Sequence, residues 1–176
     1  MTTNRSPKSN EDAALCGACG GDCCRTRPGI EAPERFLAAA NPAEELARLL
    51  ASGLWVLDTH YGVPYDPAKG ETGAPDRIIL YPRPATRREH AAGSLQAVPG
   101  AGECVLLGDH GCTLPFTERP RACQALEPAA DFACTSSWSR FDAAREWQHH
   151  QDVITAALGL LGSTSAATGS SKYNNV

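Results

Sequence analysis

The cysteines are the residues of this chain whose type and spacing most clearly predict chemistry. Eight are present, and four of them fall within the nine-residue segment CGACGGDCC: Cys16, Cys19, Cys23 and Cys24. Thiolates are charged, polarisable ligands that suit soft metals. The glycines between them let the backbone turn sharply enough for neighbouring sulfurs to converge. The segment therefore predicts a cysteine-ligated metal site, with the pair Cys16–Cys19 binding one ion from a single tight turn.

A second group of cysteines begins about eighty residues further along the chain and comprises Cys104, Cys112, Cys123 and Cys134. Cys104 lies in a predicted strand and Cys112 follows a turn over residues 108–111, so these two thiols are expected to meet across a hairpin. We expect both groups to share ligation, which would make metal-binding energy part of the folding energy. All eight cysteines are thus candidate ligands.

A disulfide framework is the alternative reading, because an even number of cysteines permits it. Residues 1–14 are polar and contain no apolar stretch that could act as a secretory signal. We therefore expect a cytoplasmic protein, and in a reducing compartment cysteine clusters are more often metal sites or catalytic groups than structural disulfides.

The order of these motifs resembles a known family. CxxCGGxCC, followed by Cys104, the segment GCTL from Gly111, the pair Arg119–Pro120 and Cys123, is similar to the YkgJ-type cysteine-cluster proteins, described as zinc- or iron-chelating domains. The resemblance implies a small metal-cysteine domain. It implies ligand roles for the first seven cysteines and leaves Cys134 as either a ligand or a buried thiol.

The metal itself stays open between zinc and iron. Four thiolates close a structural zinc site, and four also hold a [4Fe–4S] cluster, so both predict the same ligands. Arg119 could offset thiolate charge, and His110 lies in the turn between two candidate ligands, although a surface arginine and an exposed histidine explain them as simply. The first function hypothesis is a metal-binding protein without catalysis. The alternative is an iron-dependent enzyme that modifies a peptide or small molecule, with Asp58, His60, His110 or Arg119 near an open position.

Length and composition predict one small, loop-rich domain. The chain has 176 residues, 16 glycines, 13 prolines and a net charge of −4. The acidic balance argues against a general nucleic-acid binder, and no apolar run reaches membrane-spanning length. A metal ion is the expected partner, and a protein or peptide partner remains open. We expect a disordered leader over 1–12, a cysteine-cluster domain over 13–162 and a disordered tail over 163–176.

The predicted fold is α+β and metal-stabilised, with a few short strands and two or three helices. Three helices are predicted. The first covers 33–40, and the second begins after the N-cap Asn41 and ends at Gly53. The third covers 138–161, begins after a serine cap and ends at Gly162. Strands are predicted over 54–59, 77–81 and 103–107. In the last helix Trp138, Phe141 and Trp147 are expected in the core. The charged run from Arg83 to His90 is interpreted as a solvated loop, with anion contact as the alternative.

Overall fold

The computed structural model of the protein describes residues 13–26, 28–63, 74–100, 102–131 and 134–168. The predicted leader therefore lies outside the described residues. The described ranges contain eight α-helices, where the sequence predicted two or three: α1 Ala13–Cys19, α2 Asp22–Thr26, α3 Glu34–Leu37, α4 Pro42–Ala51, α5 Arg87–Ala91, α6 Arg121–Gln124, α7 Arg140–Trp147 and α8 Gln151–Thr168. None of the helices in these ranges is long and apolar enough to cross a membrane.

The strands form three separate antiparallel pairs: β1 Trp55–Val63 with β2 Ala74–Pro84, β3 Leu107–Gly108 with β4 Gly111–Cys112, and β5 Leu126–Glu127 with β6 Thr135–Ser136. The mixed helix-and-strand class predicted from the sequence is confirmed. β2 continues through Pro82 and Pro84, although the sequence predicted its end at Tyr81. Proline is tolerated there because a strand in a two-stranded sheet needs amide donors toward one neighbour only.

The main hydrophobic core lies where α4, α7 and α8 pack against the β1–β2 pair. Asn41 caps α4 as predicted, since its side chain accepts a hydrogen bond from the amide of Glu44, and Pro42 opens the first turn. Leu46 and Leu50 are buried on the inner face of α4. Trp147 is also fully buried, and its indole Nε1 donates to the carbonyl oxygen of Glu31 at 2.8 Å.

The C-terminal helix differs from its prediction in three ways. It is divided into α7 and α8 at residues 148–150, it is capped by Ser139, and it continues beyond Gly162 to Thr168. Ser139 completes a capping box with Asp142, which fixes the start of α7 at Arg140, two residues later than expected. Phe141 was predicted in the core but is 53% exposed, because it lies outside the buried face of α7, which is formed by Ala143, Ala144 and Trp147.

The charged run from Arg83 to His90 is not a solvated loop. Thr86 and Glu89 form a capping box that starts α5. Arg83 and Glu89 are 5% and 1% exposed, and the Arg83 guanidinium donates to both Glu89 carboxylate oxygens at 2.8 and 2.9 Å. Of the three arginines in this run, Arg87 and Arg88 are exposed to solvent and Arg83 is buried. The two buried charges are tolerated because they satisfy each other.

Candidate functional site

The N-terminal cysteines are carried by two short helices. α1 ends at Cys19, and Gly20 and Gly21 follow with φ angles of 62° and 80°, a left-handed turn that leads directly into α2. Gly21 also has no room for a side chain, because a Cβ there would lie 2.5 Å from Cδ1 of Leu107. The glycines therefore serve the turn that the sequence predicted, while the cysteines themselves are helical.

Backbone contacts then bring the second group of cysteines to the first. The amide of Cys104 donates to the carbonyl oxygen of Cys24 at 2.7 Å. Leu107 pairs with Cys112 across the β3–β4 hairpin, which confirms the predicted reversal of the chain. The expected meeting of Cys104 with Cys112 across this hairpin is wrong, because Cys104 lies before β3 and pairs with Thr86 instead. Cys123 lies in α6, whose residue Ala122 donates its amide to the carbonyl of Ile30 at 3.0 Å.

Seven of the eight cysteines line one cavity of about 80 Å³. They come from both ends of the described chain: Cys16, Cys19, Cys23, Cys24, Cys112, Cys123 and Cys134. Cys104 is outside the lining and is 4% exposed in a small apolar cluster with Cys24, Leu106 and Leu107. All eight cysteines are free thiols with no disulfide between them.

Protons are unevenly distributed among these thiols. The Sγ atoms of Cys23 and Cys24 lie 4.0 Å apart, and their mutual hydrogen bond lowers the pKa of Cys23 to about 6 and raises the pKa of Cys24. Burial raises the pKa of Cys104 to about 11. Burial also raises the pKa of Cys123, and the neighbouring Cys112 adds to that effect. At neutral pH most of the buried sulfurs therefore carry protons that a metal would have to displace.

The present arrangement is not a preformed metal cage. Within the described residues, no three His, Cys, Asp or Glu side chains are placed so that they could hold one metal ion together. The cavity collects soft donors around a common space, but binding an ion requires their side chains to turn toward it.

The secondary candidates divide into two groups. His110 is exposed in the β3–β4 turn and lines the cysteine cavity, as does Arg119, whose Nε donates to the carbonyl of Leu114 at 3.0 Å. Asp58 and His60 do not line this cavity. Asp58 accepts from Nε of Arg83 at 2.6 Å, and His60 packs edge-on against the ring of Phe141.

A second, larger cavity was not predicted from the sequence. It has a volume of about 600 Å³ and shares Arg119 with the cysteine cavity. One wall is the buried Glu31, which accepts hydrogen bonds from Arg35 and from the amide of Arg121 at 2.8 and 3.0 Å. The i,i+4 spacing of Glu31 and Arg35 was a readable signal for this ion pair, but the approach of Arg121 depends on the tertiary fold.

Comparison with known proteins assigns no family. No family model matches the chain, and no curated protein or solved structure matches it either.

Proposed function

We propose that this protein is a metal-binding cysteine-cluster protein in which thiolates from both cysteine groups share the ligation of zinc or iron. The observation that carries the proposal is the convergence of seven cysteines on one cavity. These residues come from segments that the sequence separates by about ninety residues, and a shared metal would account for their convergence.

The chemistry of the donor set fits a soft metal. Four thiolates satisfy one structural zinc ion or one [4Fe–4S] cluster, and the cavity offers more than four sulfurs. The Arg119 guanidinium at the same cavity would offset part of the accumulated negative charge. Thiolate ligation needs a reducing compartment, so the proposal includes a cytoplasmic location. The proposal also includes the resemblance of the cysteine motifs to the YkgJ-type proteins.

The deciding experiment is the metal content of the protein purified without oxygen. Zinc, iron and acid-labile sulfide are measured per folded chain, and we expect at least about one metal per chain, as one closed thiolate site requires. Sulfide with iron identifies a cluster, and zinc without sulfide identifies a zinc site. Less than one metal of any kind contradicts the proposal.

A matched pair of variants assigns the metal to the cavity. Cys112→Ser removes one lining sulfur and is expected to lower the metal content. Gly17→Ala lies beside Cys16, where a Cβ meets nothing within 4 Å, and is expected to keep it. Equal metal content in both variants would place the metal elsewhere.

An iron-dependent enzyme that modifies a peptide or small molecule is the second candidate. The observation that favours it is the cavity of about 600 Å³, which shares Arg119 with the cysteine cavity and is large enough for a small ligand. Catalysis requires an exchangeable position on the metal. Titrating iron-loaded protein with nitric oxide or azide tests this directly: a spectral change supports the enzyme, and an unchanged spectrum excludes an open iron position.

A further inference from the structure

Gly29 packs closely against α6, the helix that carries Cys123 to the cysteine cavity. The segment that follows it is held on both sides, because Ile30 accepts the amide of Ala122 in α6 and Glu31 donates its amide to the carbonyl of Pro82, each at 3.0 Å. The backbone at residue 29 is therefore pressed against α6, the helix that carries Cys123.

A side chain at residue 29 would collide with the Cys123 sulfur. A Cβ added to Gly29 would lie 2.2 Å from Sγ of Cys123 and 3.2 Å from its amide nitrogen. Gly29 is absent from the glycines with positive φ, so its backbone conformation would accept alanine. The need for glycine here is thus steric, and it is caused mainly by one sulfur atom.

A backbone donor contacts a second sulfur of the same cavity. The amide of Gly21 donates to Sγ of Cys19 at 3.3 Å. A glycine thus lies against a lining sulfur at two places in the cavity wall, at Gly21 beside Cys19 and at Gly29 beside Cys123.

We propose that Gly29 is the positioning residue of Cys123: because residue 29 has no side chain, this sulfur can keep its place at the wall of the cysteine cavity. Where the inference concerns metal binding it rests on the proposed function, whereas the steric dependence of residue 29 on the Cys123 sulfur does not.

The first test is a double-mutant cycle that needs no metal. Gly29→Ala is made in the natural chain and in the Cys123→Ala variant, and Tm is measured for all four proteins in excess chelator. In the natural chain the alanine is expected to lower Tm by at least about 4 °C, or to prevent folding, because the core there is overpacked. In the Cys123→Ala background most of this loss should disappear, since the colliding sulfur is gone. Equal losses in both backgrounds, including failure of both to fold, overturn the inference.

The second test follows the metal site by spectroscopy. The probe is Co²⁺ alone, whose thiolate charge-transfer absorption reports sulfur ligation. Gly29→Ala and Cys123→Ala are expected to weaken Co²⁺ binding by at least about tenfold and to change this absorption in the same way, while the Gly17→Ala control keeps both. Natural binding and absorption in Gly29→Ala contradict a positioning role. If the natural chain binds no Co²⁺, the proposed function fails, and the Tm cycle still decides the role of Gly29.

Discussion

Replacing Glu89 by glutamine should lower the free energy of unfolding, because it removes the negative charge that pairs with the buried Arg83. The Arg83 guanidinium makes two hydrogen bonds to Glu89 and one to Asp58. The Glu89 carboxylate also accepts the amides of Thr86 and Val98, both at 2.7 Å. Burial alone would raise the pKa of Glu89, but these donors outweigh it and lower the pKa from 4.5 to about 2.

The size of the effect follows from this pKa. At about 1.4 kcal/mol for each pH unit, the difference between 4.5 and about 2 corresponds to about 3 kcal/mol of folding free energy at neutral pH. Removing one partner of a buried ion pair costs a similar amount, about 3–5 kcal/mol. A group with a lowered folded-state pKa stabilises the protein fully above its unfolded pKa. This stabilisation is lost as the pH falls from about 4.5 toward 2.

The assay is urea unfolding followed by tryptophan fluorescence, with the natural chain and Glu89→Gln measured side by side. At pH 7 the variant is expected to lose about 3 kcal/mol, and the difference between the two proteins should shrink as the pH falls below 4.5. Glu45→Gln is the matched control, because Glu45 forms an exposed ion pair with Arg48. The loss of this carboxylate should change the free energy of unfolding by less than about 1 kcal/mol. A loss that is the same at pH 7 and pH 3, or equal in both variants, would refute the reasoning.

Three further predictions concern the cavity, the core and the sheet edge. Cys19→Ser should lower both the metal content and the Tm of the loaded protein, measured by metal analysis and thermal unfolding, because metal binding supports folding; retention of both would contradict shared ligation. Trp147→Ala should cost about 3–5 kcal/mol in urea unfolding, whereas Phe141→Ala on the exposed side of the same helix should cost under about 1 kcal/mol. Gln151→Ala should lower the free energy of unfolding by about 1–3 kcal/mol and increase aggregation measured by light scattering. The reason is that the Gln151 side chain accepts from the amide of Leu80 and donates to its carbonyl on the strand edge. An unchanged urea midpoint would show that water replaces these hydrogen bonds without cost.

The sequence predicted features that depend on local signals. The cap and proline of α4 were readable because Asn41 and Pro42 act within one turn. The chain reversal before Cys112 was readable because Gly108 and Gly111 enclose a short turn, but its strand partner is Leu107 and not Cys104. The expected approach of the two cysteine groups rested on thiol chemistry; seven of the eight line one cavity, and Cys104 lies outside it.

Other features depended on tertiary contacts. The run from Arg83 to Glu89 carries the composition of an exposed loop, and only the fold brings Asp58 across to complete its buried network. Phe141 has helical spacing from Trp138, but Trp138 precedes the N-cap Ser139, and the buried face of α7 lies elsewhere on the helix. Nothing local in the sequence indicates that Gly29 meets Cys123, since the two residues approach through the packing of α6.

The placement of the cysteines apart from the main hydrophobic core has a consequence for cooperativity. The large core joins α4, α7, α8 and the β1–β2 pair, whereas α1 and α2 bury little besides Cys24 in a separate small cluster. Regions with few buried apolar contacts open at a lower free energy than the rest of a domain. We therefore expect one foldon that is stabilised by hydrophobic packing and, on the proposed function, a second foldon around the thiols whose closure depends on the bound metal. Amide hydrogen exchange in α1 and α2 would then report occupancy of the cavity while the core remains protected.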